Sequence, residues 1–327
     1  MTTYSIFTPF DPLRSEQILP FAALTQWSGA HRLWQGQGAG SDPYQVFAVA
    51  AAHGFRSAFG TGIALMPSRH PFDAALQART VALSSGHSVA ACFGPGSRGL
   101  QRVMLGEAYA SPLTATREYL TIVRDLLCGG SSNIRGEYFT CVAELPRIPG
   151  PRIELGLGVL RPGMAELAGA LADVAVTFMT PAHYLAEVIA PALRSGAAAA
   201  GRPAPRLAAI ISLALDRPGR NPTDLILAGH RYHLQAPHYT EMLRRAGIPL
   251  AHPHDLAAAT SALADGGGFL YGSVEELAAW LAEFEQAGVD EVVLNLTGVA
   301  TVYGRQAALD ELREILAHLM VGAVSPD

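Results

Sequence analysis

Eight apolar runs, each separated from the next by a helical pattern, limit what this chain can fold into more than any other feature. They occupy residues 4–7, 31–35, 56–65, 88–93, 153–158, 173–178, 206–215 and 291–296. Runs that stay apolar, rather than alternating with polar residues, read as strands buried on both faces, the situation of a parallel sheet. Helices are predicted over 15–26, 43–52, 71–84, 112–127, 162–171, 181–193, 222–245, 256–264 and 305–320. Asp42-Pro43 places a capping residue before a proline at the first helical position. Ser273 followed three residues later by Glu276 is a capping box opening a further helix to Ala287. Residues 128–152 read as a loop with a turn at Gly136-Glu137-Tyr138-Phe139. Eight β/α units at this length fit an α/β fold of the (β/α)8 TIM-barrel kind, and no linker or composition shift divides residues 1–327 into more than one domain.

Composition removes whole classes of function. Half of the 327 residues are hydrophobic, enough for one large core. Only 16% are charged and the net charge is −5, so no nucleic-acid partner is expected. Every basic side chain is an arginine; with no lysine there is no Schiff-base lysine and no Walker-type lysine. Cys92, Cys128 and Cys141 form no CxxC motif and no disulfide framework, and they point to a reducing, cytoplasmic setting. No signal-peptide pattern and no run of membrane-spanning length is present, so no membrane partner is expected.

The run Phe59-Gly60-Thr61-Gly62-Ile63-Ala64-Leu65-Met66 gives way at once to Pro67-Ser68-Arg69-His70-Pro71. Glycines inside a buried strand mark places where backbone or ligand comes close, so the carboxyl end of this strand is a candidate floor for a site. Gly94-Pro95-Gly96-Ser97-Arg98-Gly99 matches the dinucleotide pattern GxGxxG. The proline removes an N–H that a pyrophosphate would need, however, and no strand ending in an acid follows about twenty residues on. A glycine turn beside a flat ligand accounts for it better.

Taken in order, Gly60-Thr61-Gly62-Ile63, Arg69-His70-Pro71, residues 78–86 (ARTVALSSG), Phe93-Gly94-Pro95-Gly96, residues 135–139 (RGEYF), the helix start at 162–168 and residues 273–294 resemble the luciferase-like monooxygenase superfamily over nearly the whole chain. That resemblance implies a barrel binding FMN or the deazaflavin coenzyme F420 at the strands' carboxyl ends. It implies a non-prolyl cis peptide at Gly62–Ile63 behind the cofactor ring, and ring contacts from Gly94, Gly96 and Ser97. It places the cofactor phosphate at Gly158, Val159, Leu160, Arg161, Gly163 and Met164, where free N–H groups and a helix N-terminus favour an anion. Relatives commonly carry glycine where Arg161 stands. Many F420-dependent relatives carry an acid and a histidine after the second strand. Here the segment reads Trp34-Gln35-Gly36-Gln37-Gly38, with no group that titrates near neutral pH. Gln37 is then a candidate to orient a substrate carbonyl, Trp34 to stack on ring or substrate, and His70 to supply a proton.

His230, His233 and His238 crowd a helical stretch expected to form either a lid over the barrel mouth or a dimer surface; without acidic or cysteine ligands beside them, no metal is expected. His252-Pro253-His254 is expected to form a surface turn. The resemblance implies a coenzyme F420-dependent oxidoreductase that transfers a hydride to or from a small-molecule or modified-peptide substrate, in secondary metabolism, as a homodimer. An FMN-dependent monooxygenase and a catalytically silent, cofactor-binding homologue are the alternatives.

Overall fold

The structure is a computed structural model that describes residues 2–250 and 255–321; the turn expected at His252-Pro253-His254 lies outside them. The eight expected strands are present: β1 (Thr3–Phe7), β2 (Arg32–Gln35), β3 (Ala58–Thr61), β4 (Val89–Gly94), β5 (Ile153–Gly158), β6 (Val174–Phe178), β7 (Arg206–Leu215) and β8 (Glu291–Asn295). Every neighbour pairs in parallel, and β8 pairs with both β7 and β1, so the sheet closes into a barrel surrounded by helices. The register sets Trp34 beside Gly60 and Cys92 beside Gly156.

Those pairings explain two glycines. A Cβ on Gly60 would stand 2.6 Å from the Trp34 ring, and one on Gly156 would collide with the Cys92 sulfur. Trp34, Ala90, Cys92, Val174, Val176, Ala208, Ile210 and Val293 fill the interior, with Phe7, Ile63 and Phe178 packed against them. The barrel is therefore solid, as side-chain layers make such barrels. A second, larger core lies between strands and helices, where Phe47 stacks on Phe59 at 4.6 Å.

A four-membered charge network forms at the barrel base, from the first or second residues of their strands. Glu154 accepts from Arg32 at 2.7 Å and from Arg206 at 3.0 Å. Glu291 accepts from Arg206 at 2.9 Å, Ser5 at 2.6 Å and the Trp34 indole at 2.7 Å. Two cations and two anions balance, and the added hydrogen bonds satisfy carboxylates that burial would otherwise penalise. Burial pushes the Glu291 carboxyl up, but Arg32, Arg206 and the bond from Ser5 outweigh it and hold it below the ordinary range.

Elsewhere the structure departs from the sequence expectations. The expected strand 56–65 is interrupted: the Gly62–Ile63 peptide is cis, and Ala64–Leu65 then pairs separately with β4. Residues 131–144 form an antiparallel hairpin, Ser131–Arg135 with Thr140–Glu144, in place of an open loop. Helices Arg98–Leu105 and Thr297–Tyr303 and the short strand Leu270–Gly272 are additional. The expected helix 222–245 is two helices, Pro222–Gln235 and Pro237–Arg245. Pro237 has no N–H to continue the ladder, and Ala236 before it is extended at φ −85°, ψ 123°.

Candidate functional site

The base is closed by charge and the interior by side chains, which leaves the carboxyl ends of the strands as the place for a site. There the chain after β3 swings across the mouth. Ile63 is placed between two glycines: a Cβ on Gly158 would come within 3.1 Å of its Cγ2, and one on Gly94 would collide with its Cδ1. A Cβ on Gly62 would stand 2.7 Å from Ile210 Cδ1, and one on Gly36 would stand 3.2 Å from the Gly62 carbonyl oxygen. Gly62 and Ile63 remain half-exposed, as do Phe7, Gly158 and Phe178, while the side chains that fill the interior below them are buried. The floor is thus a patch of bare backbone and one aliphatic side chain.

Beside it, helix Pro162–Leu171 begins at Arg161, whose side chain makes no cap, so the exposed first-turn N–H of Gly163 is left to another acceptor. Arg161 is exposed, Leu160 and Met164 are half-buried and Val159 is buried. The Leu160 carbonyl accepts a bond from Tyr184 at 3.4 Å, which fixes the loop. An exposed arginine at an uncapped helix start suits an anion. Ser97 caps helix Arg98–Leu105 through Leu100 N–H and receives the Tyr232 hydroxyl at 3.3 Å, while Gly96, at φ +69°, supplies the left-handed turn that places it.

The three side chains expected to take part in chemistry have other tasks. Trp34 is fully buried in the barrel interior with its indole N–H bound to Glu291 at the base, so it packs rather than stacks on a ligand. Gln37 spends its carbonyl on Leu65 N–H at 2.8 Å and Arg69 at 2.9 Å, and its amide on Ser68 at 2.9 Å. It is a tether for the chain leaving β3. His70 caps helix Pro71–Ser85, accepting from Phe72 N–H at 3.2 Å through Nδ1 and donating from Nε2 to the Thr140 carbonyl at 3.0 Å. Both ring nitrogens are bound to backbone.

Sequence reasoning found His230 and His233 but not their setting. They line up with Phe178, from the end of β6, whose ring lies 5.5 Å from His230 and 5.0 Å from His233. Tyr239 closes the group at 4.9 Å from His233. Burial, helped by His233, pushes His230 down to about 3, and burial with His238 pushes His233 down to about 4, so both are neutral at pH 7. Among the described residues no group of three or more His, Cys, Asp or Glu could hold a metal ion, and no helix is long and apolar enough to cross a membrane.

A family model described as luciferase-like monooxygenase matches residues 2–291. The chain belongs to this family. A curated relative, the 5,10-methylenetetrahydromethanopterin reductase of Methanolobus tindarius, is 26% identical over 202 residues, which span 60% of this chain and 59% of that protein. Among solved structures, the coenzyme F420-dependent tetrahydromethanopterin reductase of Methanopyrus kandleri aligns with a TM-score of 0.70 at 20% identity, covering 95% of this chain and 99% of that one. The EDTA monooxygenase of Chelativorans sp. BNC1 aligns with a TM-score of 0.77 at 14% identity, covering 99% and 95%. The luciferase-like chain is thus an oxidoreductase of this family with the barrel fold its sequence implies, and both cofactor classes occur among its structural neighbours.

Proposed function

We propose that this luciferase-like protein is a coenzyme F420-dependent oxidoreductase, acting on a small-molecule or modified-peptide substrate. The observation that carries the reading is the seat of Ile63 between Gly94 and Gly158, across the Gly62–Ile63 peptide, at the partly open carboxyl end of the barrel interior. The cradle fits a planar tricycle, because any side chain at Gly94 or Gly158 would fill the space that positions Ile63. The sequence relative is a 5,10-methylenetetrahydromethanopterin reductase, and the tetrahydromethanopterin reductase among the structural neighbours is coenzyme F420-dependent, which favours the deazaflavin over FMN.

When bound, the deazaflavin supplies a hydride at its C5. The chain's own residues bind, orient and dry the site. Gly62, Ile63 and Gly94 set the plane of the ring; Gly163 N–H and Arg161 take the phosphate charge; Phe7, Ile210 and Phe178 keep the floor apolar, so that bulk water does not compete at the reacting carbon. No side chain after β2 can move a proton near neutral pH, since Gln35, Gly36 and Gln37 stand there.

The protein is further read as a homodimer. Leu76 and Leu83 on helix Pro71–Ser85 are exposed, as are Val142 and Ile148 on the segment that Arg79 ties to that helix through the Pro146 carbonyl. The deciding experiment is a fluorescence and absorbance titration of the purified protein with coenzyme F420 and, separately, FMN. Binding of F420 at micromolar or lower concentration, with FMN at least tenfold weaker, is the expected result. FMN binding alone would replace this reading with oxygen chemistry, and binding of neither would remove it.

A further inference from the structure

The connection from β7 to β8 builds a roof over the mouth. Helix Pro222–Gln235 reaches the loop after β4 through Tyr232 and Ser97, and helix Pro237–Arg245 brings His238 close enough to Arg161, after β5, for its charge to be felt. An open groove of about 660 Å³ runs along the first helix past Asp224, Ala228, Arg231 and Tyr232. On the adjoining face of the same helix sit His230 and His233, three residues apart and 6.0 Å between ring centres.

His230 is 1% exposed, and neither of its ring nitrogens has a hydrogen-bond partner among the described residues. His233 Nδ1 is buried and equally without a partner. A neutral imidazole carries one donor and one acceptor, and leaving them unmet in an interior is unfavourable, so buried imidazoles are normally paired. The group is not sealed: His233, Phe178 and Tyr239 are half-buried, and His230 is buried among them. Met179, next to Phe178, is held at φ +56°, a region a methionine rarely adopts, at the point where β6 turns into this group.

We propose that Phe178, His230, His233 and Tyr239 form the substrate-recognition box of the enzyme, taking a planar, uncharged group that both donates and accepts hydrogen bonds, such as a carboxamide or lactam. The aromatic edges hold the plane. The two imidazoles supply one N–H toward the carbonyl oxygen and one bare nitrogen toward the amide N–H. Because both imidazoles are neutral, the box polarises a carbonyl without presenting a charge. The box is the hydrogen-bonding element that the end of β2 does not provide. As a statement about substrate it rests on the proposed hydride-transfer reading; as a binding site it stands without it.

The test uses benzamide as the probe and ethylbenzene, which lacks the polar group, as its control. Binding to the full chain is measured by calorimetry and by the ¹⁵N shifts of the labelled imidazoles, with and without saturating F420. The variants are His230→Phe and His233→Phe, which keep the aromatic packing and remove the nitrogens. Wild type is expected to prefer benzamide over ethylbenzene by about tenfold or more, the value of one or two satisfied buried hydrogen bonds. Each variant should lose that preference while its F420 affinity changes less than threefold. Absence of benzamide binding with and without F420, meaning that the nitrogens bind only buried water, would overturn the proposal. So would equal preference in wild type and variants. A tenfold fall in F420 affinity in the variants would assign the imidazoles to the cofactor instead. If wild type failed to bind F420 yet bound benzamide through these imidazoles, the box would stand and the F420 reading would fall.

Discussion

Replacing Glu291 by glutamine tests how the base of the barrel is held together. The carboxylate is fully buried and faces Arg206 at 2.9 Å and Arg32 at 3.7 Å, with Ser5 and Trp34 also bound to it. Glutamine has the same shape and can keep an acceptor toward Ser5 and Trp34, so little packing is lost. What changes is charge: Arg32, 1% exposed, and the partly open Arg206 are left with Glu154 alone. Breaking a buried pair from one side destabilises by about 3–5 kcal/mol. At about 2.1 cal/mol/K per residue of unfolding entropy, a chain of this length loses roughly 1.5 °C per kcal/mol, or about 5–7 °C in melting temperature. Glu291 titrates below its ordinary value, so its contribution is complete above the unfolded glutamate pKa of about 4.3 and is lost as pH falls through the folded value. The variant's melting temperature should therefore approach that of wild type on acidification below about pH 4.3. Removing Arg206 as well, as Arg206→Met/Glu291→Gln, leaves the neutral Arg32–Glu154 pair and should cost less than the two single changes added together. Calorimetric scans of the four proteins, at neutral pH and through the acid range, measure this. A Glu291→Gln loss under about 1 kcal/mol, or strict additivity, would refute a charge-balanced base. F420 affinity should not move, because the network lies at the far end of the barrel.

Three further outcomes are expected. Gly94→Val should displace Ile63 from its seat and weaken cofactor binding at least tenfold in the fluorescence titration, with a smaller effect on melting temperature. Arg161→Glu should reverse the charge beside the uncapped helix start and weaken binding of the phosphate-bearing cofactor by about tenfold, more at low salt than at high salt. His70→Ala should cost about 1 kcal/mol of stability through loss of the cap on helix Pro71–Ser85, largely restored by His70→Asn, while cofactor affinity stays unchanged; a fall in affinity would return His70 to the site.

The barrel was legible because a strand covered on both faces needs apolar residues at every position, and eight such runs leave little choice of fold. The hairpin of residues 131–144 was not legible. Its strands, SSNIR and TCVAE, are short and mostly exposed, so no continuous apolar signal exists. The charge network at the base joins Arg32 to Glu154 across 122 positions, and no local pattern can announce that pairing. One signal was available: a lone charged residue begins β7 and β8, and such charges in an otherwise apolar strand need partners. At the mouth, the glycines and the Gly62–Ile63 bond were readable through the family pattern. Gln37 and His70 were candidates because they stand at the carboxyl ends of the second and third strands. Only three-dimensional contacts show that Leu65, Arg69, Phe72 and Thr140 already occupy them. His230 and His233 stood out by spacing, but their unmet nitrogens depend on a fold that brings Phe178 beside them.

The filled interior and the salt-linked base have a kinetic consequence. A barrel with a solid axis has one doorway, and in the proposed arrangement the cofactor on Ile63 lies deeper than the molecule held by His233. Two molecules that react there must enter in sequence, the deeper first, and the outer one must leave before the inner can exchange. Steady-state patterns should show ordered addition, and excess of the outer molecule should slow release of the inner one.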